Sequence, residues 1–232
     1  MKKFILPIVI IFIILIFSFN IPKDNKTEKI KKVDEIKEQE NIKEQNNFDN
    51  LMKNYDNKNI LAFVEIPNVL LEPIVQADDN EYYLNYNINN EKDINGATFL
   101  DYRINIDNSN KILIYGHSDK SKTLPFTKLS NYKDKDFLIK NPYIYLYTKD
   151  NNYKFKIFST YIETSDFDYL NIESFNGLTW LEHLKKLKNK SFYETNVEVE
   201  DNKKIIILQT CSFDNEYKNY SQKYHLVIGI ST

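Results

Sequence analysis

The strongest constraint on the fold is a succession of short runs between Ile60 and Thr232 in which Tyr, Ile, Val and Phe alternate with polar residues. "ILAFVEI" and "VLLEPIV" flank Pro67-Asn68, "KILIYG" precedes His117, and "YIYLYT" and "YKFKIFSTYI" flank Asp150-Asn151-Asn152. "NVEVE" and "KKIIILQT" flank Asp201-Asn202, and "YHLVIGIS" ends the sequence. β-branched and aromatic residues fit a pleated, half-buried surface, and turn residues recurring about every eight to twelve positions are the pattern of an antiparallel sheet closed on itself. The expected fold is mainly β, a closed barrel of about eight strands.

Helices are few in this reading. "SFNGLTWLEHLKKLKNKS" places Leu178, Leu181, Leu184 and Leu187 at three-residue steps, with Trp180 and Leu184 four apart. That spacing predicts one amphipathic helix among the strands, with His183 at its surface or boundary. "FDNLMKNY" and "DNEYYLNY" predict two shorter helices near the start of the domain. Four glycines scattered at 96, 116, 177 and 229 exclude a Gly-rich phosphate loop.

The N-terminus reads differently. Met1-Lys2-Lys3 precedes an apolar run from Phe4 to Phe19, interrupted by Pro7 and Ser18 and extended by Ile21 and Pro22. At about 1.5 Å per residue this run nearly crosses a hydrocarbon core of roughly 30 Å. A cleaved signal needs small residues at its cleavage site, whereas Phe19, Asn20 and Ile21 are large, so residues 1–22 are expected to be an uncleaved membrane anchor. Lys2 and Lys3 then stay cytoplasmic and the rest of the chain lies outside the cell membrane; a signal cut at an unusual site is the competing reading. Residues 23–46 alternate Lys with Asp and Glu around a thin stripe of Ile30, Val33 and Ile36, which makes a solvated stalk. Residues 47–232 form one domain large enough for a real core. A net charge of −2 without a basic cluster excludes nucleic acid as a partner.

Cys211 is the sole cysteine in 232 residues. One reading makes it a small hydrophobe at the end of a buried strand. The other follows from its setting: outside the membrane an unpaired thiol invites oxidation, which points to a nucleophile. A thiol nucleophile needs a base or cation beside it. His183 lies in the predicted helix and His225 inside the last strand, but His117 directly follows "KILIYG", where a strand-end side chain faces the barrel rim. One Cys and three scattered His offer no zinc ligand pair at close spacing, so no metal or other cofactor is expected.

"GATFLDYR" (96–103), "KILIYGHS" (111–118), "FTKLSNYKDKDFLIKNPYIYLYT" (126–148) and "IIILQTCSF" (205–213) together resemble the class B sortases, membrane-anchored cysteine transpeptidases of Gram-positive bacteria. The resemblance runs from about Asn47 to the C-terminus and implies a sortase-type β-barrel with a helix between its sixth and seventh strands. It implies that Cys211 attacks a Thr carbonyl in the sorting-signal peptide of an exported surface protein, giving a thioester. His117 then protonates the leaving amine, and an amine of a peptidoglycan precursor resolves the acyl-enzyme. The signal recognised by class B members resembles Asn-Pro-x-Thr-x. An L,D-transpeptidase would also expose one thiol, but "QTCSF" lacks its usual Gly-Cys-x-Arg arrangement.

One departure stands out. The family's third catalytic residue is an arginine opening the last strand, but the only arginine here is Arg103, well before the histidine. Aligning on Gly229 puts Tyr224 at the arginine's place and Lys223 one position away, with Lys218 the other cation after Cys211. Three readings stand: Lys223 substitutes as a point charge, Arg103 serves from another loop, or the barrel binds sorting signals with little turnover. By resemblance, Thr164, Ser165 and Tyr169 in "TSDFDYLNI" are candidates for the substrate groove, together with Thr210 and Tyr224.

Overall fold

The computed structural model describes residues 47–232. The expected anchor (1–22) and stalk (23–46) lie outside them, and among the described residues no helix is long and apolar enough to cross a membrane.

Eight strands form one sheet: β1 (Ala62–Ile66), β2 (Leu70–Ile74), β3 (Phe99–Leu100), β4 (Lys111–Tyr115), β5 (Tyr143–Thr148), β6 (Asn152–Glu163), β7 (Ile205–Cys211) and β8 (Tyr224–Ser231). The order across the sheet is β2-β1-β5-β6-β8-β7-β4-β3. Its two outer strands meet where Val75 bridges Phe99, the Val75 N–H donating to the Thr98 carbonyl at 3.2 Å and the Leu100 N–H to the Val75 carbonyl at 2.9 Å. The sheet is thus nearly closed into a barrel, which leaves little exposed edge. Among the described residues three short α-helices accompany it: α1 (Asn47–Met52), α2 (Lys135–Lys140) and α3 (Trp180–Asn189).

The alternation of side chains along each strand sorts them between two cores. On β1, Ala62, Val64 and Ile66 enter the main core with Leu113, Ile144, Phe158 and Val227. Phe63 points the other way, into a second cluster where it meets Phe48 of α1 edge to face at 5.6 Å. α3 begins in a capping box between Thr179 and Glu182 and buries Leu184 and Leu187. The Ser159 hydroxyl of β6 donates to the Leu187 carbonyl at 2.7 Å, pinning the helix to the sheet.

The structure corrects four sequence expectations. The sheet is mixed, because β4 and β7 run parallel; alternation alone carries no strand direction, and the parallel pair is joined by a long crossover. "NVEVE" is irregular, since β7 already has β8 and β4 on its two edges; the eighth strand is β3, a two-residue segment in "GATFLDYR" too short to show periodicity. Leu178 precedes α3 and is exposed. His183 is buried, because its ring meets Lys111 from β4 and stacks on Phe175, contacts that helical spacing does not reveal.

Candidate active site

β4 and β7 set the site. Their register pairs Lys111 with Ile205 and Tyr115 with Gln209, a constant offset of 94 positions. His117 and Cys211 have that same offset, so the residues leaving the two strands emerge side by side. Three bonds stitch the exit. The Gly116 N–H donates to the Gln209 carbonyl at 3.1 Å, the Thr210 hydroxyl to the Gly116 carbonyl at 2.7 Å, and the Ser118 hydroxyl to the Cys211 carbonyl at 2.6 Å. β7 reads "IIILQTC" because both of its faces are covered as far as Leu208, after which it reaches the rim.

The imidazole of His117 is oriented by backbone. Its Nε2 lies 3.0 Å from the Leu84 carbonyl oxygen, and since a carbonyl only accepts, Nε2 carries the proton and Nδ1 is left for exchange. Two glycines permit this packing. A Cβ on Gly116 would sit 2.4 Å from the Phe126 ring. A Cβ on Gly96, whose φ is +59°, would sit 2.3 Å from the Tyr83 carbonyl and 3.0 Å from the His117 ring.

Cys211 is exposed and lies where two cavities meet. The first, of about 420 Å³, has a largely apolar wall that includes Leu84, Phe99, Tyr115 and Leu170, and its rim carries His117, Thr210, Cys211 and Tyr224. The second, of about 590 Å³, is lined mostly by polar and charged residues, among them Ser118, Asp119, Lys120, Lys133 and Asp214. Protein packed around the sulfur raises the thiol above its ordinary value, and the charge of Lys223 acts in the opposite sense.

The remaining candidates divide by position. Tyr169 is fully buried and lines the apolar cavity, and among the described residues its hydroxyl has no hydrogen-bond partner. Tyr224 faces Cys211 across the β7/β8 ladder, with its ring against Phe167 at 6.1 Å. Burial raises its phenol, and Cys211 adds to the rise. Lys223 lies beside the site without lining either cavity; its ammonium donates to the Tyr220 carbonyl at 3.1 Å. Thr164 and Ser165 turn their N–H groups to Glu163, each at 2.9 Å, and line neither cavity. Lys218 is exposed at the end of a short 3-10 turn. Arg103 is paired with the buried Asp101. Burial alone would raise the Asp101 carboxyl, but bonds from Arg103, Tyr115 and Asn80 outweigh it and hold the group below the usual range.

Sequence reasoning did not find Asn80, Leu84, Leu170 or Gln209 on the cavity wall. Their proximity depends on loop paths, and the buried Gln209 Oε1, which has no partner among the described residues, is visible only in three dimensions. Among the described residues, no group of three or more His, Cys, Asp or Glu is placed to hold a metal ion.

A Sortase domain model matches residues 64–228. Sortase B of Listeria monocytogenes is 36% identical over 168 residues, which is 70% of this chain and 66% of that protein, just under two thirds of its length. A Staphylococcus aureus sortase B–substrate complex superposes with a TM-score of 0.68 at 25% identity, covering 86% of this chain and 98% of that one. A sortase B complexed with triglycine superposes with a TM-score of 0.69, also at 25% identity, covering 86% of this chain and 98% of that one.

Proposed function

Since this chain belongs to the sortase family, with the class B members as its relatives, we propose that it is a cysteine transpeptidase that joins exported proteins to a cell-wall amine. The observation that carries the reading is the parallel β4/β7 register, which brings His117 and Cys211 out of the barrel together on the rim of one cavity.

In the proposed reaction the Cys211 sulfur attacks the carbonyl carbon of the Thr in a signal of the Asn-Pro-x-Thr-x kind. A C–S bond forms, the amide C–N bond breaks, and the thiol proton passes through His117 Nδ1 to the leaving amine. An incoming amine then attacks the thioester, a C–N bond forms, and Cys211 is released with a proton returned through His117. The substrate-bound and triglycine-bound sortase B structures support this assignment of the two partners by likeness. The apolar cavity, with Thr210, Tyr169 and Tyr224 on its wall, suits the extended signal peptide. Lys223 supplies the positive charge that favours the thiolate where the family's arginine is missing.

Residues 1–22 act in this reading as a single-pass membrane anchor with the catalytic domain outside the cell. The topology predicts that full-length protein fractionates with membranes; recovery of a soluble mature form starting near residue 20 to 25 would contradict it.

One observation favours a second reading, a barrel that binds sorting signals with little turnover. The thiol is raised, and the cation near it lines neither cavity. Quenched-fluorescent sorting peptides, with and without amine acceptors, separate the two: release of fluorescence that needs both Cys211 and His117 supports the transpeptidase, and tight binding without cleavage supports the second reading.

A further inference from the structure

The backbone from Tyr169 to Asn171 presents three successive carbonyl oxygens, and each accepts a hydrogen bond from a cation. Arg103 Nη2 donates to the Leu170 carbonyl at 3.1 Å. Lys111 Nζ donates to the Tyr169 carbonyl at 3.2 Å and also to that of Asn171. Lys111 is almost wholly buried, and its remaining partner is His183 Nε2 at 2.8 Å, with the Phe175 ring 5.0 Å below the ammonium. Three donors therefore meet three acceptors, the condition under which a buried ammonium is tolerated.

Both cations are themselves anchored on the β4 side. Lys111 is the first residue of the strand that ends just before His117, and Arg103 is held by Asp101 through Nε at 2.9 Å and Nη2 at 2.8 Å. Asp101 also accepts from the Tyr115 hydroxyl at 2.7 Å and from Asn80 at 3.0 Å, and both of those residues line the apolar cavity. On its other side the same loop is tied to α3 through carboxylates, Asp168 to Lys186 and Asp166 to Lys190.

We propose that Arg103 and Lys111 form a two-cation clamp that positions the Tyr169–Asn171 backbone, so that Leu170, backed by the buried Tyr169 ring, stands as the fixed wall against which the sorting peptide seats. Neither cation lines the cavity; both are positioning residues acting through the loop. The proposal rests on the reading that this cavity takes the acyl donor, and it gives the chain's single arginine a role away from the thiol.

The test compares hydrogen exchange and peptide kinetics in wild type, Lys111→Met, Arg103→Gln and Arg103→Lys. In Lys111→Met and Arg103→Gln the amides of residues 169–173 should exchange at least roughly tenfold faster, and KM for the sorting peptide should rise by about fivefold or more with kcat changed less than about twofold. Arg103→Lys, which keeps one donor for Leu170, should recover part of both effects. Alkylation of Cys211 by the small reagent iodoacetamide should stay within about twofold of wild type in all of them, because neither cation lines the cavity that holds the thiol. Exchange and KM within about twofold of wild type in folded Arg103→Gln and Lys111→Met would overturn the clamp. If Lys111→Met does not fold, Arg103→Gln, altered at a partly exposed side chain, decides alone. Exchange is read without turnover, so absence of peptide cleavage by wild type counts against the transpeptidase reading while the clamp is still decided.

Discussion

Cys211 and His117 stand at the offset that relates every residue pair of the parallel β4/β7 ladder, so two side chains far apart in sequence leave the barrel as neighbours. Each is seated by backbone: His117 through the Leu84 carbonyl, and the Cys211 carbonyl through the Ser118 hydroxyl. The pairing is a property of strand register, and a disturbance of the strand exit should uncouple the two groups without removing either.

Gly116→Ala supplies that disturbance. Its Cβ would meet the Phe126 ring at 2.4 Å, far inside van der Waals contact, so the strand exit must shift. Overpacking of this kind costs about 1–3 kcal/mol, and urea denaturation should show a loss in that range. Peptide cleavage should fall by at least about tenfold while Cys211 still reacts with iodoacetamide, since the thiol remains and its partner has moved.

Lys223 should be detectable through the thiol itself. Protein packed around Cys211 raises its pKa and the Lys223 charge lowers it, so removing that charge leaves the upward influence unopposed. Lys223→Gln should therefore move the midpoint of the alkylation rate against pH upward and slow alkylation at pH 7. A midpoint that stays in place would show that Lys223 does not act on the thiol.

Tyr224→Arg restores a guanidinium opposite Cys211 in the β7/β8 register, on the cavity wall. Turnover of sorting peptides should rise, because a planar donor pair at this point can serve both the oxyanion and the substrate. A gain of roughly 10² or more, with little loss in Lys223→Ala, would mean that the chain lacks its third catalytic group rather than having replaced it with a lysine.

Lys111 predicts a pH dependence of stability. Burial first, and then the charge of Arg103, lower its pKa to about 7, below the value of about 10.4 expected for an unfolded lysine. Between these values the unfolded chain binds more protons than the folded one, so the contribution of this residue to stability rises as pH increases from about 7 to about 10. The bonds persist through the change, because His183, held neutral by a pKa of about 3, accepts from the ammonium in one tautomer and donates to the neutral amine in the other. Melting temperatures of wild type and Lys111→Met across that window should diverge with this sign; parallel curves would show that Lys111 titrates normally.

Much of the fold was legible because its information is local. β1, β5, β6 and β8 announce themselves by alternating residues between turns, and α3 by the spacing of its leucines. Strand direction and pairing were not legible, since β4 and β7 read as apolar runs whether parallel or antiparallel, and β3 is only two residues long. At the site, Cys211 and His117 stood out by chemical rarity and position at strand ends, and the structure brings them to one cavity. The clamp role of Arg103 and Lys111 was opaque for the opposite reason: the partners that tie them to the loop are main-chain carbonyls more than fifty positions away, and a carbonyl has no signature in sequence.

The most direct test of the central claim is the intact mass of the protein after brief incubation with a sorting-signal peptide in the absence of an amine. The protein should gain a mass equal to the acyl fragment ending in Thr, located on Cys211, discharged by an added amine, absent in Cys211→Ala and strongly reduced in His117→Ala. Cleavage of the peptide by folded Cys211→Ala at the wild-type rate, with no adduct on Cys211 in the wild type, would contradict it.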